Sequence, residues 1–280
     1  MSHRFETEDV TIRYLDWGEG SHRHLILLHG LGSQAHTWDT FGNKITSSFR
    51  VVAPDLRGHG ESGHSELGYA LASFTGDIKA LARAINLPSF DLIGHSLGAL
   101  IAIEFAAEHP GLVNRLILED GGPGMDTDAA RGASIGNFTR PLAFDTVESA
   151  SSWLQSQNPR LGTRSDEEME QMVKHRMKEN WTGRWIFRHD PELYWIVDDA
   201  IGWSKEDSKQ VWERLASISC PTLVLRGEES NLLSSEAAGR ITAAIPNATL
   251  VEIPGAGHSI HSDAPDLFRE AVLGFLEENG

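Results

Sequence analysis

The 280-residue sequence predicts an α/β protein with a mostly parallel sheet and crossover helices. Two observations carry this. Short apolar runs alternate with helix-period patterns from about residue 24 to 118, and the alternation resumes at residue 221. Between them, residues 126–214 lose the β-type runs and gain charge and tryptophan, which predicts an inserted helical segment.

Taken in order, His24-Leu25-Ile26-Leu27-Leu28 is a buried strand that runs into glycines, and Arg50-Val51-Val52-Ala53-Pro54 is the next. Ile78, Leu81, Ala82 and Ile85 recur at i, i+3, i+4, i+7, so 74–87 is an amphipathic helix, stopped by Pro88. Phe90 to Ile93 is a short strand entering Gly94. Residues 97–109 are apolar on nearly every face, as in a helix buried behind a sheet, and His109-Pro110 ends them. Leu116-Ile117-Leu118 is a further strand. The segment 126–214 holds Trp153, Trp181, Trp185, Trp195, Trp203 and Trp212 and reads as several helices without a strand partner. After it, 221–225 and 249–253 are strands, and 234–245 is a helix. The last helix has Asp263 as its expected N-cap, Pro265 in its first turn, and Leu267, Phe268, Ala271, Val272, Phe275 and Leu276 on one face.

Hydrophobic residues are 40% of the chain and charged residues 23%, an ordinary globular balance. A net charge of −16 repels polyanions, which argues against nucleic acid or an anionic membrane as partner. The N-terminus has no apolar core of a signal peptide, and the most apolar run, Leu97 to Ala107, is too short to span a bilayer and carries Glu104. The expected compartment is cytoplasmic. A homodimer is left open. The lone Cys220 can form no internal disulfide, and before Pro221 at a strand start it reads as a buried spectator.

The chemistry-bearing motif is Gly94-His95-Ser96-Leu97-Gly98, a G-x-S-x-G between an expected strand and an expected helix. A serine on that tight turn projects its hydroxyl above the sheet, and the two glycines avoid a Cβ collision with the neighbouring helix and strand. The helix N-terminus adds a positive dipole end where an oxyanion forms.

With His29-Gly30-Leu31-Gly32 after the first strand, Asp55-Leu56-Arg57-Gly58-His59-Gly60-Glu61-Ser62 after the second, and Gly255-Ala256-Gly257-His258 after a late strand, the chain resembles the α/β-hydrolase superfamily over nearly its whole length. The resemblance implies an eight-stranded, mostly parallel sheet with helices on both faces. It implies a core of residues 1–123 and 215–280, with a helical cap inserted at 124–214. It implies Ser96 as nucleophile and His258 as its base, since a serine hydroxyl needs an adjacent base at neutral pH. The oxyanion hole would be the backbone N–H groups of Leu97 and Leu31, with Gly30 and Gly32 allowing close approach. Of the remaining histidines, His29 would shape the oxyanion loop, His59 would belong to a structural turn, and His95 would pack beside the nucleophile. His261 finds no further ligands at metal spacing, and the chemistry calls for no metal or cofactor.

The acid departs from the commoner pattern. Most relatives place an aspartate after the strand equivalent to 222–225; here the segment reads Arg226-Gly227-Glu228-Glu229-Ser230-Asn231. A subset places the acid after the preceding strand, where this chain has Leu118-Glu119-Asp120-Gly121-Gly122-Pro123. Asp120 stands at a strand's C-terminal end, and the order Ser96, Asp120, His258 is the family's. Glu228 and Glu229 remain alternatives; Asn231 lacks the charge that stabilises imidazolium.

Around this centre Trp38, Gly30, His95 and Trp185 are the expected substrate-binding residues. Arg184 and Arg188 lie four apart, on one face if that stretch is helical. The expected activity is cleavage of a small, largely apolar ester through an acyl-enzyme. Hydrolysis of an amide, or of a carbon–carbon bond in a ring-cleavage product, would use the same triad. A cofactor-free dioxygenase or lyase and a non-catalytic ligand receptor are the remaining readings. A haloalkane dehalogenase or epoxide hydrolase would carry aspartate where this chain has Ser96.

Overall fold

The computed structural model describes residues 1–18, 23–126, 141–195 and 209–277. Strands β1 (Ser2–Glu6), β2 (Thr11–Trp17), β3 (His24–Leu28), β4 (Arg50–Pro54), β5 (Phe90–His95) and β6 (Val113–Glu119) precede the inserted segment. Strands β9 (Thr222–Gly227) and β10 (Ala248–Ile253) follow it. Together they form one eight-stranded sheet in the order β1-β2-β4-β3-β5-β6-β9-β10. From β4 to β10 every pairing is parallel; only β1 and β2 run antiparallel to their neighbours. The chain goes from β3 outward to β4, then crosses to β5 on the other side of β3. That reversal opens a crevice at the C-terminal ends of β3 and β5, where open α/β sheets bind their ligands.

Helices cover both faces. On one, α1 (Leu71–Ala84), α2 (Leu97–Glu108), α5 (Lys209–Ser217) and α6 (Ser235–Ala244) bury a large apolar cluster. Ten of the twelve residues of α2 are buried, as its uniformly apolar surface foretold. The exception in character is Glu104, whose carboxylate is met by Arg214 of α5 at 2.9 Å. On the other face, the turn Ala35–Trp38 and helix α7 (Pro265–Glu277) close a second cluster around Trp38, Phe49 and Phe268. Pro265 opens α7, but Asp263 does not cap it. Its carboxylate accepts instead from Gly257 N–H at 2.9 Å, inside the loop before a short turn.

The segment between β6 and β9 has an apolar cluster of its own, formed by Phe144, Ala150, Leu154, Leu161, Met169, Val173 and Met177. It contains α3 (Val147–Gln157) and α4 (Asp166–Arg176), each opened by a capping box, Thr146 with Ser149 and Ser165 with Glu168. The expectation of helices alone is corrected here by a hairpin of β7 (Met177–Glu179) and β8 (Trp185–Phe187). Its turn is set by Asn180, whose side chain accepts from Thr182 N–H and Arg184 N–H, and by Gly183 at φ +77°. Strands of three residues with lysine and glutamate leave no period-2 signal. Because of that hairpin, Arg184 and Arg188 do not share a helix face. Arg184 pairs with Asp145, and Arg188 donates to the carbonyl of Met177.

The tryptophans divide accordingly. Trp153 and Trp185 pack on the segment's own cluster, Trp212 packs on the core, and Trp181 stands exposed in the hairpin turn. Trp195 ends a short turn, and Trp203 lies outside the described residues. Helix α5 straddles residue 214 and packs on α2. Cys220 is buried, and burial pushes its thiol up to about 11. No helix among the described residues is long and apolar enough to cross a membrane.

Candidate active site

The chain folds into a sharp elbow between β5 and α2. Ser96 sits there at φ +53°, ψ −115°, a region that side chains avoid and that only surrounding structure can enforce. The glycines show how tight the enforcement is. A Cβ on Gly94 would lie 2.2 Å from the carbonyl oxygen of Gly98, and one on Gly98 would lie 2.4 Å from that of Leu28. Ser96 N–H donates to Glu119 O at 3.0 Å, which ties the elbow to the end of β6. Leu97 begins α2, so its N–H is one of the helix's free donors.

The loop after β3 closes on the elbow. Ser33 N–H donates to Gly30 O at 3.1 Å with Gly32 at φ +70°, a type II turn that places Leu31 at its first corner. A Cβ on Gly30 would meet Ser96 Cβ at 3.1 Å and His95 Nδ1 at 3.0 Å. His29 braces this turn: it accepts from Leu56 N–H at 2.9 Å, so its Nδ1–H donates to Gly30 O at 2.8 Å. Burial lowers His29 to about 4 and His59, edge-on to it at 4.9 Å, to about 3. Both rings are therefore neutral struts at physiological pH.

At the end of β6, Asp120 takes φ +43° and is wholly buried. Its carboxylate accepts three bonds: His258 Nδ1–H at 2.7 Å, the Ser230 hydroxyl at 2.5 Å and Gly227 N–H at 3.1 Å. That set satisfies a charge that would otherwise be costly to bury. Glu228 and Glu229 are engaged elsewhere, with Gly255 N–H and Arg160 respectively, and Asn231 is exposed. Ser230, in the segment that lacks the commoner aspartate, donates its hydroxyl to Asp120.

His258 leads from β10 over the strand ends. Its carbonyl accepts from His95 Nε2–H at 3.0 Å, and the two rings lie 4.7 Å apart. Burial and the neighbouring His258 and His261 hold His95 far below the usual histidine range, so it is neutral and its Nδ1 is an unpaired buried acceptor facing Gly30. Among the described residues the hydroxyl of Ser96 makes no hydrogen bond. It is half-buried beside this pair and free to turn, as nucleophiles of unliganded sites commonly are.

Two expected substrate contacts are placed otherwise. Trp38 has no exposed surface: it lies between His261, 4.4 Å away, and Phe268, so it is a core residue and not a pocket wall. His95 packs under the elbow. Trp185 is half-buried on β8. A second buried pair was not foreseen: Glu119 accepts from both the backbone N–H and the Nδ1–H of His261, each at 2.8 Å. Two groups of three metal-donor residues occur among the described residues, His36/Asp39/His175 and His95/Glu119/His261. In both, the nitrogens of the central ring are committed: His36 to Asp39 and Arg13, His261 to Glu119 and Thr37.

Residues 23–265 match the family described as alpha/beta hydrolase fold. The chain belongs to that family. Among α/β-hydrolases, a 3-hydroxybutyrate-oligomer hydrolase of Cupriavidus necator is 28% identical over 261 residues, covering 88% of this chain and 86% of its own. A 2-(acetamidomethylene)succinate hydrolase of Mesorhizobium japonicum is 24% identical over 281 residues, covering 99% and 95%. A crystal structure of an E-2-(acetamidomethylene)succinate hydrolase superposes with a TM-score of 0.88 at 22% identity, covering 99% of both chains, which shows the shared fold.

Proposed function

We propose that this α/β-hydrolase is a serine hydrolase that cleaves a small, largely apolar ester through an acyl-enzyme. The observation that carries the reading is the buried Asp120 bonded to His258 Nδ1 at 2.7 Å beside a serine held in a strained elbow. With Nδ1–H given to Asp120, His258 presents its Nε2 lone pair as base. Ser96 loses its proton to that nitrogen as it attacks the carbonyl, and Asp120 stabilises the imidazolium that forms. The N–H groups of Leu97 and Leu31 receive the developing oxyanion without reorganising. The imidazolium then protonates the leaving group, and water, activated by the same ring, releases the acid. Residues 124–214 act as the cap over this crevice, a role supported by the separate apolar cluster of the segment.

A second reading, amide cleavage, is favoured by the full-length similarity to a protein named for hydrolysis of 2-(acetamidomethylene)succinate. The two are separated by comparing p-nitrophenyl acetate with p-nitroacetanilide. The common mechanism is tested by fluorophosphonate labelling with mass-spectrometric mapping. Label on Ser96, with Ser96→Ala losing both label and turnover, is the expected result. Undiminished turnover in Ser96→Ala would overturn the reading.

A further inference from the structure

We propose that Glu119, His261 and Thr37 form a second hydroxyl–imidazole–carboxylate relay, buried behind the first, whose role is to position the base. The inference rests on the triad reading above. Its geometry is a repeat. Consecutive residues, Glu119 ending β6 and Asp120 just after it, hold two imidazoles three residues apart, His261 and His258. Glu119 grips its histidine twice, through backbone N–H at 2.8 Å and ring Nδ1–H at 2.8 and 3.0 Å. With Nδ1–H so engaged, His261 Nε2 accepts the Thr37 hydroxyl proton at 2.8 Å. The ring is further packed by Trp38 at 4.4 Å and by the edge of His95 at 5.0 Å.

A single bond from Asp120 to His258 would leave the imidazole able to pivot about that bond. Catalytic groups must be held to about 0.5 Å and 10–20°. The second pair removes the pivot, because it fixes the same loop one turn further along to the residue that precedes Asp120 at the end of β6. His95 adds a third attachment at the carbonyl of His258. The surroundings argue that this is geometry and not stability. Glu119 and His261 are almost fully buried beside Trp38, Ile260 and Phe268. Replacing both members of a buried hydrogen-bonded pair by apolar groups of the same shape is often nearly neutral or stabilising. What they cannot supply is a directional attachment to a strand end. Thr37 extends the relay to the turn that follows the oxyanion loop, so base and oxyanion loop are referred to one frame.

The test uses the whole chain with p-nitrophenyl acetate. Glu119→Gln keeps the size of the side chain but weakens its grip on the ring N–H. It is expected to lower kcat by about 10- to 100-fold with KM within about twofold, the signature of a misplaced base. Thr37→Val, on a partly exposed turn, is the milder change: kcat falls about three- to tenfold, and Thr37→Ser restores it to within about twofold. Proton NMR in water supplies a readout that does not depend on Ser96. The low-field His258 ring N–H signal, assigned by its loss in Asp120→Asn, shifts or broadens in Glu119→Gln and in Thr37→Val while near-ultraviolet circular dichroism stays that of the parent. An unchanged His258 signal with kcat within twofold of the parent in both variants overturns the proposal. A loss of activity that appears only as a raised KM, or that Thr37→Ser fails to restore, overturns it as well. Failure of the triad reading is read separately, as turnover surviving in Ser96→Ala while the His258 signal still responds to Glu119→Gln.

Discussion

The sheet core and the segment 141–195 hold their shapes by different means. In the core, position is dictated by main chain against main chain: Cβ atoms at Gly94 and Gly98 would fall 2.2 and 2.4 Å from carbonyl oxygens. The segment has a small apolar cluster and meets the core through the buried Leu193 and a set of polar ties. Arg160 donates to Gly255 O, Arg164 to the Ser262 hydroxyl, Tyr69 to Asp190, and His36 stacks on His175 at 3.9 Å. The difference teaches a division of labour. Groups that must hold sub-ångström geometry stand where backbone leaves no freedom. On the reading proposed above, groups that select a substrate would stand where side chains can be exchanged without disturbing the chemistry.

The sharpest way to test that division is Asp120→Asn. The amide keeps the packing but cannot stabilise imidazolium and favours the wrong tautomer, so kcat should drop about 10⁴-fold with Tm little changed. Steady-state kinetics beside a thermal melt decide it; a fall below tenfold would place the acid elsewhere. Next comes Gly98→Ala. The new methyl meets the Leu28 carbonyl, and nothing there can yield cheaply, so a loss of about 3 kcal/mol or more is expected in urea unfolding.

Acid destabilises the core. His29 at about 4 and His59 at about 3 bind no proton when folded, whereas each binds one below pH 6.5 when unfolded. The unfolded state thus holds more protons, and stability falls as pH drops from about 6.5 towards 4. Asp91, raised by burial to about 6, binds its proton in the folded chain first and works the other way between 3.8 and 6. His95 and His175, also lowered by burial, add to the two imidazoles, and together they outweigh the raised carboxyls of Asp91, Asp77 and Glu104, so Tm should fall on the order of 10 °C between pH 7 and 4.5. Calorimetry at both pH values checks the sign; a higher Tm at pH 4.5 would refute it. The smallest effect is Leu154→Ala. The cavity costs about 2–3 kcal/mol but within the segment, so limited proteolysis should cut 141–195 sooner while fluorophosphonate labelling of Ser96 persists. Equal loss of labelling would erase the distinction between the regions.

How much of this was legible follows the same line. The elbow announces itself because close backbone approach at Gly94 and Gly98 admits glycine alone, while Gly32 and Gly255 mark their loops by positive φ. The place of Asp120 at a strand end was readable, and the structure adds the Ser230 hydroxyl as a donor to it. The β1–β2 hairpin gave little signal, since Ser2–Glu6 is a polar edge strand with alternating half-exposure. The β7–β8 hairpin was hidden by its three-residue strands. Trp38 misled because a large aromatic after an oxyanion loop can face either the crevice or the core, and only packing against Phe268 decides. The Glu119–His261 pair joins residues 142 apart in the chain, and no local pattern marks such a contact.

Cys220 has a practical corollary. The chain carries one thiol, and that thiol is shielded and held in its unreactive protonated form near neutral pH. A cysteine put in place of Trp181, at the 95%-exposed tip of the hairpin, would thus be the sole handle for a maleimide dye. One fluorophore, attached without removing any native residue of the core, would report whether that hairpin's surroundings change during turnover.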